Sequence, residues 1–268
     1  MLQTLIALQM NSKTDPLLNL DWVEKTLTPL QKSGPTLVVL PECFACFGGG
    51  DKAQLALAEQ KGHGPIQQRL SEIARRFGVW LVAGTMPLKC ADHNKFTASC
   101  LVYDDQGQLV TEYQKVHLFD VEVNDNTRSY HESAHTQAGT RVVTFDSPFG
   151  KVGVAVCFDV RFPHLFQAMN KPDVIVLPSA FTKVTGEAHW QALLKCRSIE
   201  NQCYLVAAGQ TGIHENGRET YGHSQIVSPW GEVLAMKTSG TGLVMADMNL
   251  KDVAEIRQKM PLHPASLD

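Results

Sequence analysis

The chain has 268 residues, of which 44% are hydrophobic and 19% charged, values typical of a folded protein that can bury a sizeable core. Its formal charge of −3 is spread along the chain without a basic stripe, which argues against nucleic acid as a partner. No apolar run approaches the roughly 20 residues of a membrane-spanning helix, and the first ten residues lack the positive charges of a signal peptide.

Cysteine usage indicates the redox compartment. The chain contains 7 cysteines, an odd number in a mid-sized sequence without a secretion signal. This pattern favours free thiols in a reducing environment over a disulfide framework. We therefore expect a cytoplasmic protein.

In the first half, the hydrophobic periodicity alternates between strands and helices. Helical spacing over 17–32 ends at the Ser33-Gly34-Pro35 stop, and a second predicted helix opens at Gly64-Pro65 and ends at Phe77. The predicted strands are Leu5–Met10, Thr36–Leu40, Val79–Thr85, Ala98–Asp104 and Leu109–Leu118. A polar loop over 120–139 separates this half from the next.

The second half has the same layout. Its predicted strands are Arg141–Phe145, Lys151–Val156, Val174–Leu177, Cys203–Ala208, Gln225–Ser228, Glu232–Lys237 and Leu243–Asp247. Its predicted helices are Pro163–Asn170, Glu187–Asn201 and Lys251–Lys259. No flexible linker interrupts the chain, so we expect one domain over 1–268.

This alternation predicts an α/β protein whose sheets are covered by helices. Two halves of similar layout favour two sheets stacked face to face with the helices outside. Periodicity alone is equally compatible with a single mixed sheet.

Two reactive side chains come directly after apolar strands. Glu42 follows the Val38-Val-Leu-Pro run, where an unpaired buried carboxylate would be costly. Its structural alternative is a helix cap or a salt-bridged loop acid. Cys157 ends the Val152-Gly-Val-Ala-Val run shortly before a predicted helix, whose positive end would lower the thiol pKa. A free cysteine can equally be a small core residue.

A third candidate is Lys115, within Tyr113-Gln-Lys-Val-His117. Strand alternation would place Tyr113, Lys115 and His117 on one face, which is an unusual polar triplet for an inward-facing strand. The structural alternative is an exposed edge strand.

Taken together, these three motifs resemble those of the nitrilase superfamily of carbon–nitrogen hydrolases. The family motifs are a Pro-Glu after a strand, a Lys-x-His-Leu-Phe stretch, and a Cys followed by an aromatic residue, Asp and Arg-Phe-Pro. They occur here in family order, at Glu42, Lys115 and Cys157. The resemblance extends over nearly the whole chain, and it implies a four-layer αββα sandwich that forms a homodimer or a higher homo-oligomer.

The resemblance also implies a mechanism and its residues. Cys157 would attack an amide, Glu42 would transfer the proton to the departing ammonia, and water would then hydrolyse the thioester. Lys115 and the backbone N–H of Phe158 would stabilise the oxyanion. Glu132, in His131-Glu-Ser133, would support the site. Neither a metal nor an organic cofactor is expected.

Within the family, the chain resembles the branch of deaminated-glutathione amidases and ω-amidases. Phe158-Asp159 replaces the Trp-Glu of true nitrilases, and further branch-like stretches lie in the C-terminal half, namely Pro178-Ser-Ala-Phe181, Thr185-Gly-Glu-Ala-His-Trp190, Tyr221-Gly-His-Ser224 and Pro229-Trp-Gly231. By this resemblance the expected substrate is a small carboxylate-bearing amide, deaminated glutathione, with α-ketoglutaramate as the alternative. By the same resemblance, the substrate-binding residues would be Arg161, Phe181, Thr182, His189 and Trp190.

Two departures from the family pattern are Phe96-Thr97, where Tyr-Asn is common, and the ending His263-Pro-Ala-Ser-Leu-Asp268, which could alter subunit contacts. Two other kinds of protein remain as alternatives. The Cys43-Phe-Ala-Cys46 pair could belong to a zinc or thiol-redox protein, although a lone pair is a weak pattern. The fold could also serve as a catalytically silent binding module.

Overall fold

The computed structural model describes residues 2–125 and 127–262. Within these ranges the α-helices are Pro16–Leu27 (α1), Gly50–Ala56 (α2), Pro65–Phe77 (α3), Pro163–Ala168 (α4), Lys183–Asn201 (α5) and Leu250–Lys259 (α6). Short 3-10 helices span Glu132–Ala134 and Cys157–Arg161. The strands are Gln3–Gln9 (β1), Thr36–Val39 (β2), Trp80–Val82 (β3), Met86–Lys89 (β4), Phe96–Tyr103 (β5), Leu109–Gln114 (β6), Asp120–Glu122 (β7), Ser129–His131 (β8), Val143–Ser147 (β9), Gly150–Val154 (β10), Val174–Ser179 (β11), Tyr204–Gly209 (β12), Thr211–Ile213 (β13), Glu219–Tyr221 (β14), Ser224–Val227 (β15), Val233–Lys237 (β16) and Gly242–Met248 (β17).

These strands form two large mixed sheets. The first has the order β17-β1-β2-β3-β5-β4, with β6 paired to β5, and the second has the order β16-β15-β12-β11-β10-β9. Each sheet is parallel at its centre, through β1-β2-β3 in the first and β10-β11-β12 in the second, and antiparallel at its edges. Two-stranded ribbons, β7-β8 and β13-β14, lie outside the sheets.

Strand β1 shows why the sheets stack. Leu5 and Ala7 are fully buried in the core cluster that also contains Val154 and Val176 of the second sheet. The alternate residue Ile6 is fully buried in a different cluster, with side chains of α1 and α3. Because successive side chains of a strand point to opposite faces, β1 contributes to the inter-sheet core with one face and to a helical layer with the other.

The second sheet is covered in the same way. Helix α5 contributes Trp190 and Leu194 to the core cluster of that sheet, and α4 contributes Leu165 and Phe166. The layers are therefore helices, sheet, sheet and helices. The prediction of a four-layer αββα sandwich is confirmed, and the alternative of a single mixed sheet is wrong.

Local capping explains where two of the helices begin. Helix α1 starts at Pro16, and the Asp15 carboxylate accepts a hydrogen bond of 2.8 Å from the N–H of Leu17. Helix α5 starts at Lys183, four residues before the predicted start at Glu187, because the Thr182 hydroxyl caps its first turn.

Several other predicted bounds differ from the structure. Helix α1 ends at Leu27, so the last five residues of the predicted span 17–32 lie outside it. Helix α2, strand β4 and both ribbons lie in segments without a clear apolar period, and the sequence did not predict them. Within the described ranges, no helix is long and apolar enough to cross a membrane. The divergent ending 263–268 lies outside the described residues.

Candidate active site

The three candidate residues follow strands at a common edge of the two sheets. Glu42 lies three residues after β2, Lys115 directly after β6, and Cys157 three residues after β10. The carboxyl ends of central parallel strands are a common place for ligand sites in α/β proteins. Here the structure brings all three side chains onto the wall of one cavity of about 290 Å³.

Lys115 lies between two carboxylates. Its Nζ donates hydrogen bonds of 2.7 Å to Oε1 of Glu42 and 2.7 Å to Oε2 of Glu132. The same Glu132 oxygen accepts a hydrogen bond of 2.6 Å from the N–H of Phe119. Lys115 is only 2% exposed, so these bonds hold its ammonium in a fixed position.

The contacts among Lys115, Glu42 and Glu132 also affect the pKa values of these groups. Burial alone would lower the pKa of Lys115, but the charges of Glu132 and Glu42 hold it well above its usual value. Burial raises the pKa of Glu132, and the charge of Glu42 adds to this, whereas Lys115 acts in the opposite direction. Lys115 is therefore a fixed cation at neutral pH and is unsuited to act as a base.

Cys157 lies on a strained turn. Its φ angle of +48° is in the left-handed region, which is costly for a residue with a side chain and is often found at functional sites. A 3-10 helix over Cys157–Arg161 follows at once. Phe158 is the second residue of that helix, so its N–H has no acceptor within the helix and is available to a ligand.

The pKa of the Cys157 thiol is raised well above its usual value, first by burial and then by the negative charge of Glu42. Lys115 and the backbone N–H of Ala180 favour the thiolate but do not offset these effects. The expectation that a helix end lowers this pKa is therefore wrong. Helix α4 begins only at Pro163, and the strained turn separates it from the sulfur.

The raised pKa means that Cys157 carries its proton at neutral pH, so attack on a substrate requires a base. The Glu42 carboxylate is within hydrogen-bonding reach of the thiol. One Glu42 oxygen is bonded to Lys115, which orients the carboxylate. Glu42 is thus placed to accept the thiol proton.

Asp159 connects the Lys115 segment to the Cys157 turn. It is fully buried, and its Oδ2 accepts hydrogen bonds from the Tyr113 hydroxyl at 2.7 Å and from the Val156 N–H at 2.8 Å. Its Oδ1 accepts from the N–H of His117 at 3.0 Å and lies 2.7 Å from His117 Nδ1. One carboxylate thereby fixes the residues that flank Lys115 to the residue that precedes Cys157.

The polar triplet predicted on one strand face is divided in the structure. Strand β6 ends at Gln114, so alternation no longer applies beyond it. Lys115 bonds to the two glutamates, whereas Tyr113 and His117 bond to Asp159.

Of the predicted substrate-binding residues, Arg161, Phe181 and Thr182 line the cavity. Trp190 lies behind the wall, where it packs against Phe181 at 4.7 Å between ring centres and donates its indole N–H to the His223 carbonyl. His189 is exposed, and its Nδ1 lies 3.2 Å from Arg161. Both residues therefore belong to helix α5, Trp190 on its packed face and His189 on its exposed face, and neither lines the cavity.

Sequence reasoning missed several lining residues, including Tyr130, Asn216 and Arg218. They come from the ribbons β7-β8 and β13-β14 or the turns within them, and these short polar segments show no apolar period. Cys43 also lines the cavity, next to Glu42. Among the described residues, no group of three or more His, Cys, Asp or Glu side chains is arranged to hold a metal ion. Cys43 and Cys46 therefore belong to no such group.

Comparisons with known proteins identify the family. A family model described as "Carbon-nitrogen hydrolase" matches residues 5–258. "Deaminated glutathione amidase" of Yersinia enterocolitica is 40% identical over 91% of this chain and 86% of that protein. "Omega-amidase NIT2" of Xenopus tropicalis is 36% identical over 91% of this chain and 87% of that protein.

The fold comparison agrees. The crystal structure of Saccharomyces cerevisiae Nit3, a member of branch 10 of the nitrilase superfamily, matches with a TM-score of 0.85 and 28% identity, over 98% of this chain and 96% of that one. The chain belongs to the carbon–nitrogen hydrolase family, and the resemblance to the nitrilase superfamily is confirmed.

The Asp159 contacts predict the effect of Asp159→Asn. The asparagine NH2 would oppose N–H or O–H donors that now bond to a carboxylate oxygen, which would displace Lys115 or Cys157. A displacement of about 1 Å can cost on the order of 100-fold in rate, so we expect kcat/KM for amide hydrolysis to fall by about that factor.

The matched control for this variant is Tyr113→Phe, which removes only one of the donors and should cost about 10-fold or less. Thermal unfolding followed by circular dichroism reports stability separately. If Asp159→Asn lowered the melting temperature but left kcat/KM unchanged, a positioning role for Asp159 would be refuted.

The thiol pKa gives a second prediction. Alkylation of Cys157 by iodoacetamide, followed by peptide mass spectrometry, should keep rising above about pH 8.5, the pKa of a free cysteine. In Glu42→Gln the negative charge that disfavours the thiolate is removed, so the midpoint should move to lower pH. A midpoint that moved upward in this variant would contradict the described electrostatics of the site.

Proposed function

We propose that this protein hydrolyses a small carboxylate-bearing amide through a thioester on Cys157, and that its substrate is deaminated glutathione. The observation that carries the proposal is the convergence of Glu42, Lys115 and Cys157 on one cavity, beside the guanidinium of Arg161. Membership of the carbon–nitrogen hydrolase family supports the reaction type. The relatives named deaminated glutathione amidase support the substrate.

In the first step, Glu42 accepts the thiol proton while the sulfur forms a bond to the amide carbonyl carbon. The carbonyl oxygen gains negative charge, and the Lys115 ammonium and the Phe158 N–H stabilise it. A single oxyanion donor of this kind is typically worth about 2.7–4 kcal/mol in mutagenesis experiments. Glu42 then donates its proton to the amide nitrogen, the C–N bond breaks, and the amine leaves.

In the second step, Glu42 removes a proton from a water molecule that attacks the thioester carbonyl. The same two donors stabilise the second oxyanion. The C–S bond breaks, the acid is released, and the sulfur recovers the proton from Glu42. One carboxylate thus serves as base, acid, base and acid in turn, and the fixed charge of Lys115 is unchanged throughout.

The identity of the leaving amine depends on the substrate. A primary amide such as α-ketoglutaramate releases ammonia, the leaving group expected from the sequence. Deaminated glutathione is a ketoacid joined by an amide to cysteinylglycine, so its hydrolysis releases the dipeptide instead. The second candidate function is therefore an ω-amidase, which the similarity to "Omega-amidase NIT2" favours.

A substrate panel with a nucleophile variant tests the proposal. The wild type should hydrolyse deaminated glutathione with a higher kcat/KM than α-ketoglutaramate and should leave simple nitriles unchanged. Cys157→Ala should have no measurable turnover, because no other group on the cavity wall is proposed to form the thioester. Mass spectrometry of the released ketoacid and cysteinylglycine provides the measurement.

The control for this experiment is Cys196→Ala, which alters an exposed thiol on α5 away from the cavity and should retain full activity. Unchanged product release by Cys157→Ala would overturn the assignment of the nucleophile. Absence of turnover by the wild type on every amide would favour the silent binding module.

We also propose that the protein forms a homodimer. Three exposed apolar residues, Ile199 of α5 with Trp230 and Met236 of the β15–β16 hairpin, are 45%, 60% and 44% exposed. Gly231 is packed against the Ile199 side chain, and Met236 contacts Gln191 earlier in the same helix, so the hairpin that carries Trp230 and Met236 packs along α5. Contiguous exposed apolar patches often mark interfaces.

Sedimentation velocity tests the dimer. We expect the wild type to sediment as a dimer and Trp230→Glu to shift towards the monomer, since a charge would be placed in the apolar contact. Leu18→Glu, at an exposed leucine of α1, is the matched control and should leave the dimer intact. A monomeric wild type, or a dimer that is lost only in Leu18→Glu, would contradict this proposal.

Two further expectations belong to this proposal. All of the cysteines are free thiols, which supports a protein of the cytoplasm, where thiols stay reduced. The single domain over 1–268 remains a prediction.

A further inference from the structure

The cavity holds two guanidinium groups that its own acids do not neutralise. Both carboxylates among the described lining residues, Glu42 and Glu132, bond to Lys115. Arg161 and Arg218 also line the cavity, and neither has a carboxylate partner within the described ranges. Buried or half-buried cations without an anion are unfavourable, so an anionic ligand would offset that cost.

Arg218 is held rigidly although it lacks an acidic partner. Its Cζ lies 5.1 Å from the ring centre of Phe47 and 4.9 Å from that of Tyr130, so the guanidinium lies against two aromatic rings. Its Nη2 donates a hydrogen bond of 2.9 Å to the Ala180 carbonyl. Its Nε is buried without a hydrogen-bond partner among the described residues. Such a group is pre-organised for an acceptor that the protein itself does not supply.

The two arginines reach the cavity from different segments and have different neighbours. Arg161 is four residues beyond Cys157, and its Cζ lies 5.8 Å from the ring centre of Phe158, whose N–H is the proposed oxyanion donor. Arg218 lies against Tyr130 and is close enough to act electrostatically on Cys43, the residue next to Glu42.

The position of Glu42 indicates which arginine binds which half of the substrate. In the proposed mechanism Glu42 protonates the departing nitrogen, so the leaving amine must lie towards Glu42. Of the two arginines, Arg218 is the one near the residue that follows Glu42, which leaves Arg161 for the acyl half.

We propose that Arg218 binds a carboxylate on the leaving amine while Arg161 binds a carboxylate on the acyl half. The substrate class is therefore an amide with an anionic group on each side of the scissile bond, such as an oxoacid acylated onto a short peptide. This inference rests on the proposed function, and it distinguishes a two-anion amide from a primary amide such as α-ketoglutaramate. Arg218 is then a residue that determines specificity.

The experiment combines a change in the enzyme with a change in the substrate. Three substrates are compared: deaminated glutathione, its analogue with a carboxamide in place of the glycine carboxylate, and α-ketoglutaramate. For the wild type we expect kcat/KM to fall by about 10- to 100-fold when the glycine carboxylate is removed, the range expected for a hydrogen bond to a charged group. In Arg218→Gln this preference should disappear, so that kcat/KM for deaminated glutathione falls to that for the carboxamide analogue.

Arg161→Gln is the matched control. It removes the same kind of charge from the same cavity, but it should lower kcat/KM for all three substrates because each has the acyl carboxylate. If Arg218→Gln lowered kcat/KM for all three substrates equally, or kept the wild-type preference for the glycine carboxylate, the proposal would be overturned.

A binding measurement separates this inference from the proposed function. Cys157→Ala is expected not to turn over. Calorimetry with this variant and with Cys157→Ala/Arg218→Gln therefore compares the affinity for deaminated glutathione with that for the carboxamide analogue. If deaminated glutathione binds more tightly than the carboxamide analogue only when Arg218 is present, the proposed role of Arg218 is supported. Equal affinity of Cys157→Ala for the two ligands would refute the proposed role of Arg218, even if the wild type hydrolyses both. Failure of the proposed function would be seen separately, as absence of turnover by the wild type.

Discussion

The site depends on one buried ammonium held by two carboxylates. Removing Lys115 from water is costly, and the hydrogen bonds from its Nζ to Glu42 and Glu132, each 2.7 Å long, offset that cost. These two hydrogen bonds also hold Glu42 and Glu132 in place relative to each other, although 90 residues of chain separate them. Removing Lys115 would leave two buried carboxylates without their shared cation, and removing either acid would take away one of the two bonds that fix the ammonium, so the cation and both acids act as a unit.

The same three residues explain the separate roles that we propose for Lys115 and Glu42. Lys115 is kept protonated and so provides a constant positive charge near the substrate oxygen. Glu42 has one oxygen bonded to Lys115, which orients the carboxylate towards the thiol. Because burial and Glu42 both raise the pKa of Cys157, the resting thiol is protonated and is activated only when its proton moves to Glu42.

The fold brings the three site residues together, and Asp159 fixes the Lys115 segment relative to the Cys157 turn. The two sheets bring the ends of β2, β6 and β10 to a common edge, but strand ends alone place side chains only approximately. Asp159 is fully buried and accepts hydrogen bonds from both sides of the cavity wall, which fixes the Lys115 segment relative to the strained turn at Cys157. The strain of this turn, typically about 1–3 kcal/mol for a residue in the left-handed region, persists because the surrounding contacts determine it.

Much of this architecture could be predicted from the sequence because the signals are local. Apolar strands that end in Glu42 and Cys157 are visible as runs of residues, and the order of the three motifs identified the family. Arg218 and Tyr130 could not be found in this way, since they lie in or beside short polar ribbons whose positions depend on the rest of the fold. The misplacement of Trp190 has a similar origin, because a helical pattern does not reveal which face of α5 meets the cavity.

The direction of the thiol pKa could not be predicted either. The sequence shows a helix after Cys157, but it does not show the intervening 3-10 turn or the depth of burial. Both depend on how the second sheet packs against the first. The family, which depends on residue types and their order, was therefore predicted correctly, whereas the direction of the thiol pKa, which depends on solvation, was predicted incorrectly.

The most direct test of the central claim is rapid-quench mass spectrometry of the intact protein during a single turnover of deaminated glutathione. We predict a transient mass increase equal to the acyl half of the substrate, located on the Cys157 peptide, which appears with the release of cysteinylglycine and decays as the ketoacid is formed. Formation of both products without any adduct on Cys157 at any time would contradict the account.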